Sequence, residues 1–416
     1  MPRPIRRIAQ IFAVLGNPEL RALWFADWIS DVGNFVTFIA LAVYVHDLTG
    51  TAASIGIALA LEALPRVTIG PFVGVLADRM DRRRLMIACN VIRAVLVGAL
   101  PFTHAAWQAY ALATASSAFG PIHRPARSAL LAQIVPEGKL VAALAVTETT
   151  HQVLHTVGPA IAGLAILAMG ARHAFFLDAA SFLVAAAFQA RIASRGRPQR
   201  VQSHVVADVR EGYAAVLLNP AVRAYALLNA ALALGYGAVV AVLLLYVRQV
   251  LHRPEGLYGV VLSVAGAGTV IISLVIAARD ERHARTMWPP ISLFGIGAFA
   301  LVAFRPGLPV LLAIALGAGV ADGAGIPMAA TIAEAMPDDV RGRAYGATEA
   351  MWELSSAAGS LAFAWLADPS RLSVVASFAW GAVISTALGA VVLMMGGISA
   401  IASFERRRLA AIVAEP

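Results

Sequence analysis

Apolar runs of about 20 residues recur from one end of this chain to the other, each long enough to cross roughly 30 Å of hydrocarbon. Nothing else restricts the fold as strongly. Hydrophobic residues fill 60% of the 416 positions and charged residues only 13%, whereas an ordinary soluble domain is about 45–50% apolar. A water-soluble fold of this length would need a far more polar exterior. The chain reads as an all-α polytopic membrane protein with twelve transmembrane helices, predicted at 21–47, 52–77, 85–104, 107–133, 140–169, 173–192, 221–248, 257–278, 288–304, 308–335, 341–367 and 373–397.

The formal charge of +8 could suggest a nucleic-acid partner, but its distribution excludes that. Lys139 is the sole lysine, and the arginines sit in short loops between apolar runs. Of the 32 basic residues, twenty-five fall in loops on the side of the N-terminus, and five (Arg172, Arg248, Arg253, Arg305, Arg371) fall in the opposite loops. Arg66 and Arg93 lie inside predicted helices. The positive-inside rule then places both termini in the cytoplasm of a bacterial cell, with the protein in its cytoplasmic membrane. The basic N-terminus has too short an apolar stretch before Asn17-Pro18 for a cleaved signal, and reads as a cytoplasmic lead-in. The single cysteine, Cys89, excludes an intrachain disulfide.

The two halves repeat each other. Asn17-Pro18 with Arg21-Ala22 recurs as Asn219-Pro220 with Arg223-Ala224, at an offset of 219 − 17 = 202. Pro136-Glu137 matches Pro337-Asp338, Thr147-Glu148 matches Thr348-Glu349, and Gly158 matches Gly359, all at 337 − 136 = 201. A near-constant offset at separated places indicates a duplicated six-helix unit, and parallel repeats of this size imply two bundles with a site between them near the midplane. The organisation predicted is an N-terminal six-helix bundle over 1–192, a cytoplasmic linker over 193–218, and a C-terminal bundle with a short tail over 219–416. Within the linker, Ala207 to Leu218 has amphipathic spacing and is expected to lie along the membrane surface.

Between the second and third predicted helices runs Gly74 to Met86, GVLADRMDRRRLM. A plain basic loop would obey the inside rule without needing the glycine or the aspartate. The string resembles the corresponding loop of the major facilitator superfamily, G-x-L-A-D-R-x-G-R-R/K, matching at Gly74, Leu76, Ala77, Asp78, Arg79, Arg82 and Arg83, with Asp81 in place of the usual glycine. The D-R-x-D-R-R-R version is similar to the branch containing macrolide-efflux and enterobactin-exporter-type proteins. L-T-G at 48–50, N-V-I-R-A at 90–94, P-x-x-R-P-A-R at 121–127 and R-G-R at 341–343 extend that resemblance over the whole chain. It implies the major facilitator fold and a cytoplasmic latch. In that latch Asp78 faces the start of the eleventh helix and pairs with nearby arginines, in a group of Gly74, Asp78, Arg79, Arg82, Arg83 and Arg127. A carboxylate at a helix N-terminus gains from the dipole, and breaking a partly buried pair makes a switching step. The matching loop of the second half, Arg279 to Arg285, is degenerate, so the latch is expected to be single. Drug/proton antiporters of the superfamily also carry G-P-x-x-G-G in the fifth helix. This chain has G-P-A-I-A-G at Gly158, Pro159 and Gly163, a resemblance that implies export; a proline kink repaired by neighbouring helices would leave the same trace.

Ionisable residues at membrane depth cost several kcal/mol unless paired or wet, so each is a functional candidate. At about 1.5 Å per residue, Asp31 lies roughly 15 Å above Arg21, with Asp27 one turn below. Arg66 lies roughly 18 Å above Asp78, with Glu62 a turn further; Glu148 and Arg93 each lie roughly 14 Å from their cytoplasmic helix ends. Asp31, Glu148 and Asp27 are the proton-coupling candidates, because a carboxylate withdrawn from water can hold its proton near neutral pH while a neighbouring arginine opposes this. Arg66, Arg93 and Glu62 supply counter-charge; Glu62 and Arg66, four apart, could equally close on each other as a structural pair. His151 and His155 follow Glu148 on one stripe, and suit a wet cavity wall better than a metal site, since one helix would have to supply every ligand. In the second half Asp322, Glu349 and Glu353 are the acids at depth, and the last two suit cationic cargo. Trp24, Trp28, Tyr236, Trp352 and Trp365 are cavity or interface aromatics.

These features point to a monomeric exporter that moves a small amphipathic organic molecule (a drug, macrolide or siderophore-like compound) across the lipid bilayer by proton antiport, rocking two bundles about a central cavity. A facilitator-fold importer or uniporter would keep the latch and need no proton acid. A non-transporting scaffold or sensor would carry an appended soluble domain. No G-x-x-x-x-G-K-[ST] loop, catalytic triad or metal motif is visible, so no enzyme activity, metal or cofactor is expected.

Overall fold

The computed structural model describes residues 13–70, 80–136, 138–194, 205–277, 281–322 and 325–414. Among them all regular structure is helical and no strand occurs. In chain order the helices are α1 (Pro18–Thr49), α2 (Ala53–Thr68), α3 (Arg82–Ala99), α4 (Ala106–Ser117), α5 (Gly120–Ile134), α6 (Leu140–Gln189) and α7 (Val205–Leu218). They continue as α8 (Pro220–Leu245), α9 (Gly256–Ala277), α10 (Glu281–Gly297), α11 (Leu308–Asp322), α12 (Gly325–Ala335), α13 (Asp338–Leu366), α14 (Val374–Val392) and α15 (Ile398–Ala414). By length and composition, six helices among the described residues suffice to cross a membrane: Pro18–Thr49, Arg82–Phe102, Leu140–Gln189, Pro220–Val250, Gly256–Val275 and Val374–Arg408. Pro289–Phe304 and Leu308–Val320 are shorter apolar helices.

Several predicted boundaries move, each for a local reason. The single helix expected over 107–133 is divided, with α4 ending at Ser117 and α5 opening at Gly120-Pro121. Proline lacks the N–H that would continue the ladder and suits only a first turn. The segments expected at 140–169 and 173–192 form one run, α6, broken at Gly170, where φ 77 and ψ 156 leave helical geometry. Glycine tolerates that positive φ without a Cβ penalty. The last segment ends at Val392 in a π-turn over Leu393–Gly397 before α15 resumes. The tenth helix of the series starts earlier than expected, at Glu281, and finishes in a 3₁₀ stretch, Ala298–Phe304.

The chain divides into two compact units. The first comprises Met1–Thr49, Leu64–Ser203 and Glu255–Ser263; the second comprises Gly50–Ala63, His204–Pro254 and Val264–Pro416. In the first unit α1 packs along α6, and α3 packs on both α6 and α5. Leu23, Met86, Leu130, Leu131 and Ile192, each at most 1% exposed, form its core next to the start of α1. The Oδ1 of Asn17 accepts the Glu19 and Leu20 N–H groups and its Nδ2 donates to Ile134 O. Glu19 ties down the far end of the bundle, accepting the Ala193 and Ser194 N–H groups and the Ser194 hydroxyl.

In the second unit α8 is surrounded by α13 and α14, and Val239 to Val247 are at most 4% exposed. A helix apolar on every side belongs in such an interior. A Cβ at Gly237 would stand 2.0 Å from Ser356 O, and one at Gly359 would stand 2.0 Å from Leu234 O, so α8 and α13 cross at bare backbone. The linker helix α7 packs on protein along one side and leaves Val206, Leu217 and Leu218 exposed. Val216 is fully buried with Ile332, Met336 and Ala344. Across the same contact, Arg343 on α13 pairs with Asp208 at 3.1 Å and Glu211 at 2.5 Å.

The Asn-Pro repeat has a shared cause. Asn219 Oδ1 accepts the Ala221 and Val222 N–H groups, and Pro220 occupies the first helical position, as Pro18 does at the start of α1. Both are N-caps with proline where no donor is lost. Replacing Asn219 by Ala should cost about 1 kcal/mol, and Asn17→Ala about 1 kcal/mol more, for its added bond to Ile134 O. Thermal unfolding in detergent checks the order; equal losses would contradict it.

Candidate functional site

The first unit gathers its charges between α1, α3, α5 and α6. On α1, Trp24, Asp27, Trp28, Asp31 and Phe35 recur at helical spacing, so they share a face. Asp27 Oδ2 accepts Arg127 Nε at 2.5 Å; the two side chains are 13% and 22% exposed. A guanidinium is a permanent cation, so this carboxylate is held as part of an ion pair joining α1 to α5. One turn further, Asp31 Oδ2 lies 3.4 Å from His151 Nδ1, and both side chains are about a third exposed, at 33% and 39%. Its partner is titratable and its site is open. His151 stacks edge-on against His155 at 4.5 Å, and His155 meets Phe35 at 5.1 Å. Trp24 Nε1 donates to Thr150 Oγ1 at 2.9 Å, and its ring stacks over exposed Trp28. Glu148 is exposed on α6, one turn before His151 and within electrostatic reach of Arg127.

A second cluster lies deeper, and of its members the sequence singled out only Arg93. Asp178 is 1% exposed; it accepts Thr37 Oγ1 at 2.5 Å and Ser181 Oγ at 3.0 Å. Gly33 makes room for it, since a Cβ there would fall 2.2 Å from Asp178 Oδ1 and 2.1 Å from Ser181 Oγ. Arg93 donates to Asn34 Oδ1 at 2.6 Å and lies over the Phe182 ring at 4.0 Å. Beside these, Asn90 Nδ2 donates to Gln189 Oε1, and Gln189 Nε2 lies 3.1 Å from His123 Nε2. The available signal was polar spacing of three on apolar helices: Asn34 with Thr37, Asn90 with Arg93, and Asp178 with Ser181.

The remaining candidates fall as follows. Gly74, Asp78 and Arg79 lie outside the described residues. Asp81 replaces the glycine of the loop pattern because it caps α3, accepting the Arg84 N–H at 3.1 Å. Arg82 is 4% exposed and Arg83 donates to Ala190 O, so both turn in against the bundle. Arg127, grouped with the latch by resemblance, sits inside the bundle on Asp27. Arg66 is exposed and Glu62 half-buried on α2, while the partners of Asp31 and Asp27 come from α6 and α5. Pro159 keeps helical geometry, and the non-helical residue of α6 is Gly170. Gly158 and Gly163 serve close packing: a Cβ at Gly158 would meet the Phe35 ring at 2.3 Å, and one at Gly163 would meet Gly256 O at 2.3 Å. Nearby, the Ala160 N–H donates to Ser263 Oγ at 2.7 Å.

In the second unit Glu349, Trp352 and Glu353 share α13, and the Trp352 ring lies 5.7 Å from that of Tyr236 on α8. Trp365 carries Arg371 at 3.7 Å over its ring, as an aromatic anchor at a helix end does. Asp322 closes α11, and its side chain lies outside the described residues. Among the described residues no three His, Cys, Asp or Glu side chains are grouped to hold a metal ion.

Long apolar helices in this number define a multi-pass membrane protein. The chain belongs to the Major Facilitator Superfamily, whose profile matches residues 23–360. It is 26% identical over 362 residues to the uncharacterized MFS-type transporter YfiS of Bacillus subtilis (strain 168), covering 82% of this chain and 84% of that one. It is 25% identical over 358 residues to the multidrug efflux pump Tap of Mycolicibacterium fortuitum, covering 82% and 87%. Macrolide efflux protein A of Streptococcus pyogenes is 25% identical over 205 residues, which span 47% of this chain and 51% of that protein. Among solved structures, the nucleoside transporter NupG superposes with TM-score 0.74 at 15% identity, over 91% of this chain and 98% of that one. A bacterial homologue of the human lysosomal transporter Spinster gives TM-score 0.73 at 12% identity, over 93% and 97%. At these identities the structures speak for the fold alone.

Because Asp27 and Arg127 are mostly buried, removing one partner should cost more than removing both. Arg127→Gln is expected to destabilise by about 3 kcal/mol, with Asp27→Asn/Arg127→Gln recovering at least about 1 kcal/mol of that loss. A double-mutant cycle of detergent unfolding reads this; additive losses would contradict the pair.

Proposed function

We propose that this chain is a proton-driven exporter of small amphipathic organic molecules, built as twelve membrane segments with both termini in the bacterial cytoplasm. The observation that carries the proposal is the unequal treatment of two carboxylates one turn apart. Asp27 is held by a fixed guanidinium, while Asp31 faces a histidine and solvent. A carboxylate that trades protons must be reachable and must not be neutralised permanently. Asp31 meets both conditions and Asp27 meets neither, so Asp31 is the coupling acid and Asp27 belongs to the scaffold. Glu148, exposed beside the same cavity wall, is the second acid of the relay.

Twelve segments result if α4 is joined with α5 and α11 with α12, α6 is divided at Gly170, and α7 and α15 are set aside as linker and tail. The bundles then run over 1–192 and 219–416, with 193–218 between them, and the protein works as a monomer in lipid. The exposed aromatic and carboxylate groups of the first unit suit a flat cargo carrying positive charge, through stacking on Trp28 and attraction to Glu148. The names of the efflux relatives favour outward movement. Near the start of α13, Arg341 pairs with Asp338 at 2.6 Å.

Two measurements test this. A drug-sensitive host carrying the protein should survive about tenfold higher concentrations of some cationic amphipathic toxins, and inverted vesicles should acidify less when such a toxin is added. Asp31→Asn should abolish uphill transport while leaving cargo binding within about threefold, because the ion pair below it is untouched. Undiminished uphill flux in Asp31→Asn would remove the coupling role, and flux indifferent to the pH gradient in the parent chain would make it a uniporter.

A further inference from the structure

Asp178 is the buried acid that proton coupling at Asp31 leaves unused. It is 1% exposed on α6 and faces α1 at Gly33 and Thr37, which lie one turn apart on one side of that helix. Asp31 is two residues from Gly33, about 200° round the helix, and so points elsewhere. Three oxygen–oxygen contacts hold the acid. Thr37 Oγ1 lies 2.5 Å from Asp178 Oδ2, Ser181 Oγ lies 3.0 Å from Asp178 Oδ1, and the same Ser181 Oγ lies 2.8 Å from the Asp178 backbone O. Each contact needs a proton along it, and the two hydroxyls bring one each. An ionised carboxylate brings none, so three contacts would share two protons. A carboxylic acid brings the third. Thr37 then donates to Oδ2, Ser181 donates to the backbone oxygen, and the acid's own O–H donates to Ser181 Oγ. The count holds whichever way each hydroxyl turns.

Charge points the same way. An ionised carboxylate this deep needs a cation in direct contact. Among the described residues both side-chain partners of Asp178 are hydroxyls. The charged group acting on it at longer range is Arg93 from α3, whose guanidinium donates to Asn34 Oδ1 at 2.6 Å and lies over the Phe182 ring. From α1 its neighbours are the neutral Gly33 and Thr37, and from α6 the neutral Ser181. The Leu100–Phe102 turn that packs on α6 carries no ionisable side chain. We propose that Asp178 is a proton-binding site of the first unit, filled in this structure, and that its proton fastens α6 to α1. The acid O–H closes the Ser181 contact and leaves Oδ2 to the Thr37 hydroxyl of α1. Proton loss would strand an anion where the helices approach so closely that a Cβ on Gly33 would fall 2.2 Å from Asp178 Oδ1. The proton is therefore held and not traded. Asp178 is a positioning residue for α1, the helix that bears Asp31.

The consequence for transport rests on the antiport reading given above; the proton site does not. Asp178→Asn keeps one donor and one acceptor in the shape of the neutral acid, so it should fold. Infrared absorption of the full-length protein in lipid at about pH 6 should contain a protonated-carboxyl C=O component that Asp178→Asn lacks and Asp31→Asn keeps. Thr37→Val should move that component to higher wavenumber, because the hydroxyl no longer draws on Oδ2. Identical absorption in the parent and Asp178→Asn would overturn the proposal. Thermal unfolding in detergent between about pH 5 and about pH 8 gives an independent reading. An exposed aspartate has lost its proton in that range, so a proton kept only by the folded chain makes the parent less stable as pH rises. The unfolding temperature of the parent should fall by a few degrees relative to that of Asp178→Asn, and a constant difference would overturn the fastening. In vesicles, with ethidium as the cationic probe, Asp178→Asn should still drive uphill movement, which Asp31→Asn stops. Loss of uphill flux in a folded Asp178→Asn would make Asp178 an exchanging acid and overturn the positioning role. Should the parent move no ethidium uphill, the antiport reading falls, and the infrared and unfolding results still decide the proton site.

Discussion

The Arg127 guanidinium lies 2.5 Å from the Asp27 carboxylate, and most of the chemistry of the first unit follows from where that pair sits. Either charge alone at membrane depth would cost several kcal/mol. Together they bind α1 to α5 and settle the lower acid of the α1 face, so that the acid one turn away is left for a titratable partner. Such a pair adds little net stability over apolar packing. What it does is assign roles: one carboxylate is fixed, and one is open to exchange.

Close packing and polar satisfaction reinforce each other around this point. Gly33 lets Asp178 and Ser181 approach α1, and Gly158 lets Phe35 lie against α6, where His155 meets its ring. Without a hydrophobic drive between helices in lipid, small residues and interhelical hydrogen bonds supply the specificity. The second unit follows the same rule. Its α8 and α13 touch through Gly237 and Gly359, and Ser360 Oγ donates to Gly237 O. The units share helix caps at Asn17 and Asn219, while the Asp27–Arg127 pair and the His151–His155 contact belong to the first.

Helix existence was legible because it depends on apolar length, which the sequence displays directly. Boundaries were less so. Pro121 divides a helix that hydropathy alone runs together, and Gly170 breaks a run whose composition does not change. The helical face shared by Asp27 and Asp31 was legible from their spacing, whereas their partners were not. Arg127 falls near a loop by hydropathy and was grouped with the latch, yet the long guanidinium reaches into the bundle to Asp27. Asp178 lies in an apolar run, and beside Ser181 on its own helix its partner is the neutral Thr37 hydroxyl of α1, a pairing only the fold brings together. The aspartate at position 81 reads as a departure from a family pattern until its side chain is seen capping α3.

The division of labour on α1 is tested most directly by infrared difference spectroscopy of the lipid-reconstituted protein, which sees the C=O stretch of a carboxyl group gaining or losing its proton. Stepping the pH should produce a carboxyl band that vanishes in Asp31→Asn and persists in Asp27→Asn. A band that survives in Asp31→Asn and disappears in Asp27→Asn would contradict the account, because the acid held by arginine would then be the one that moves the proton.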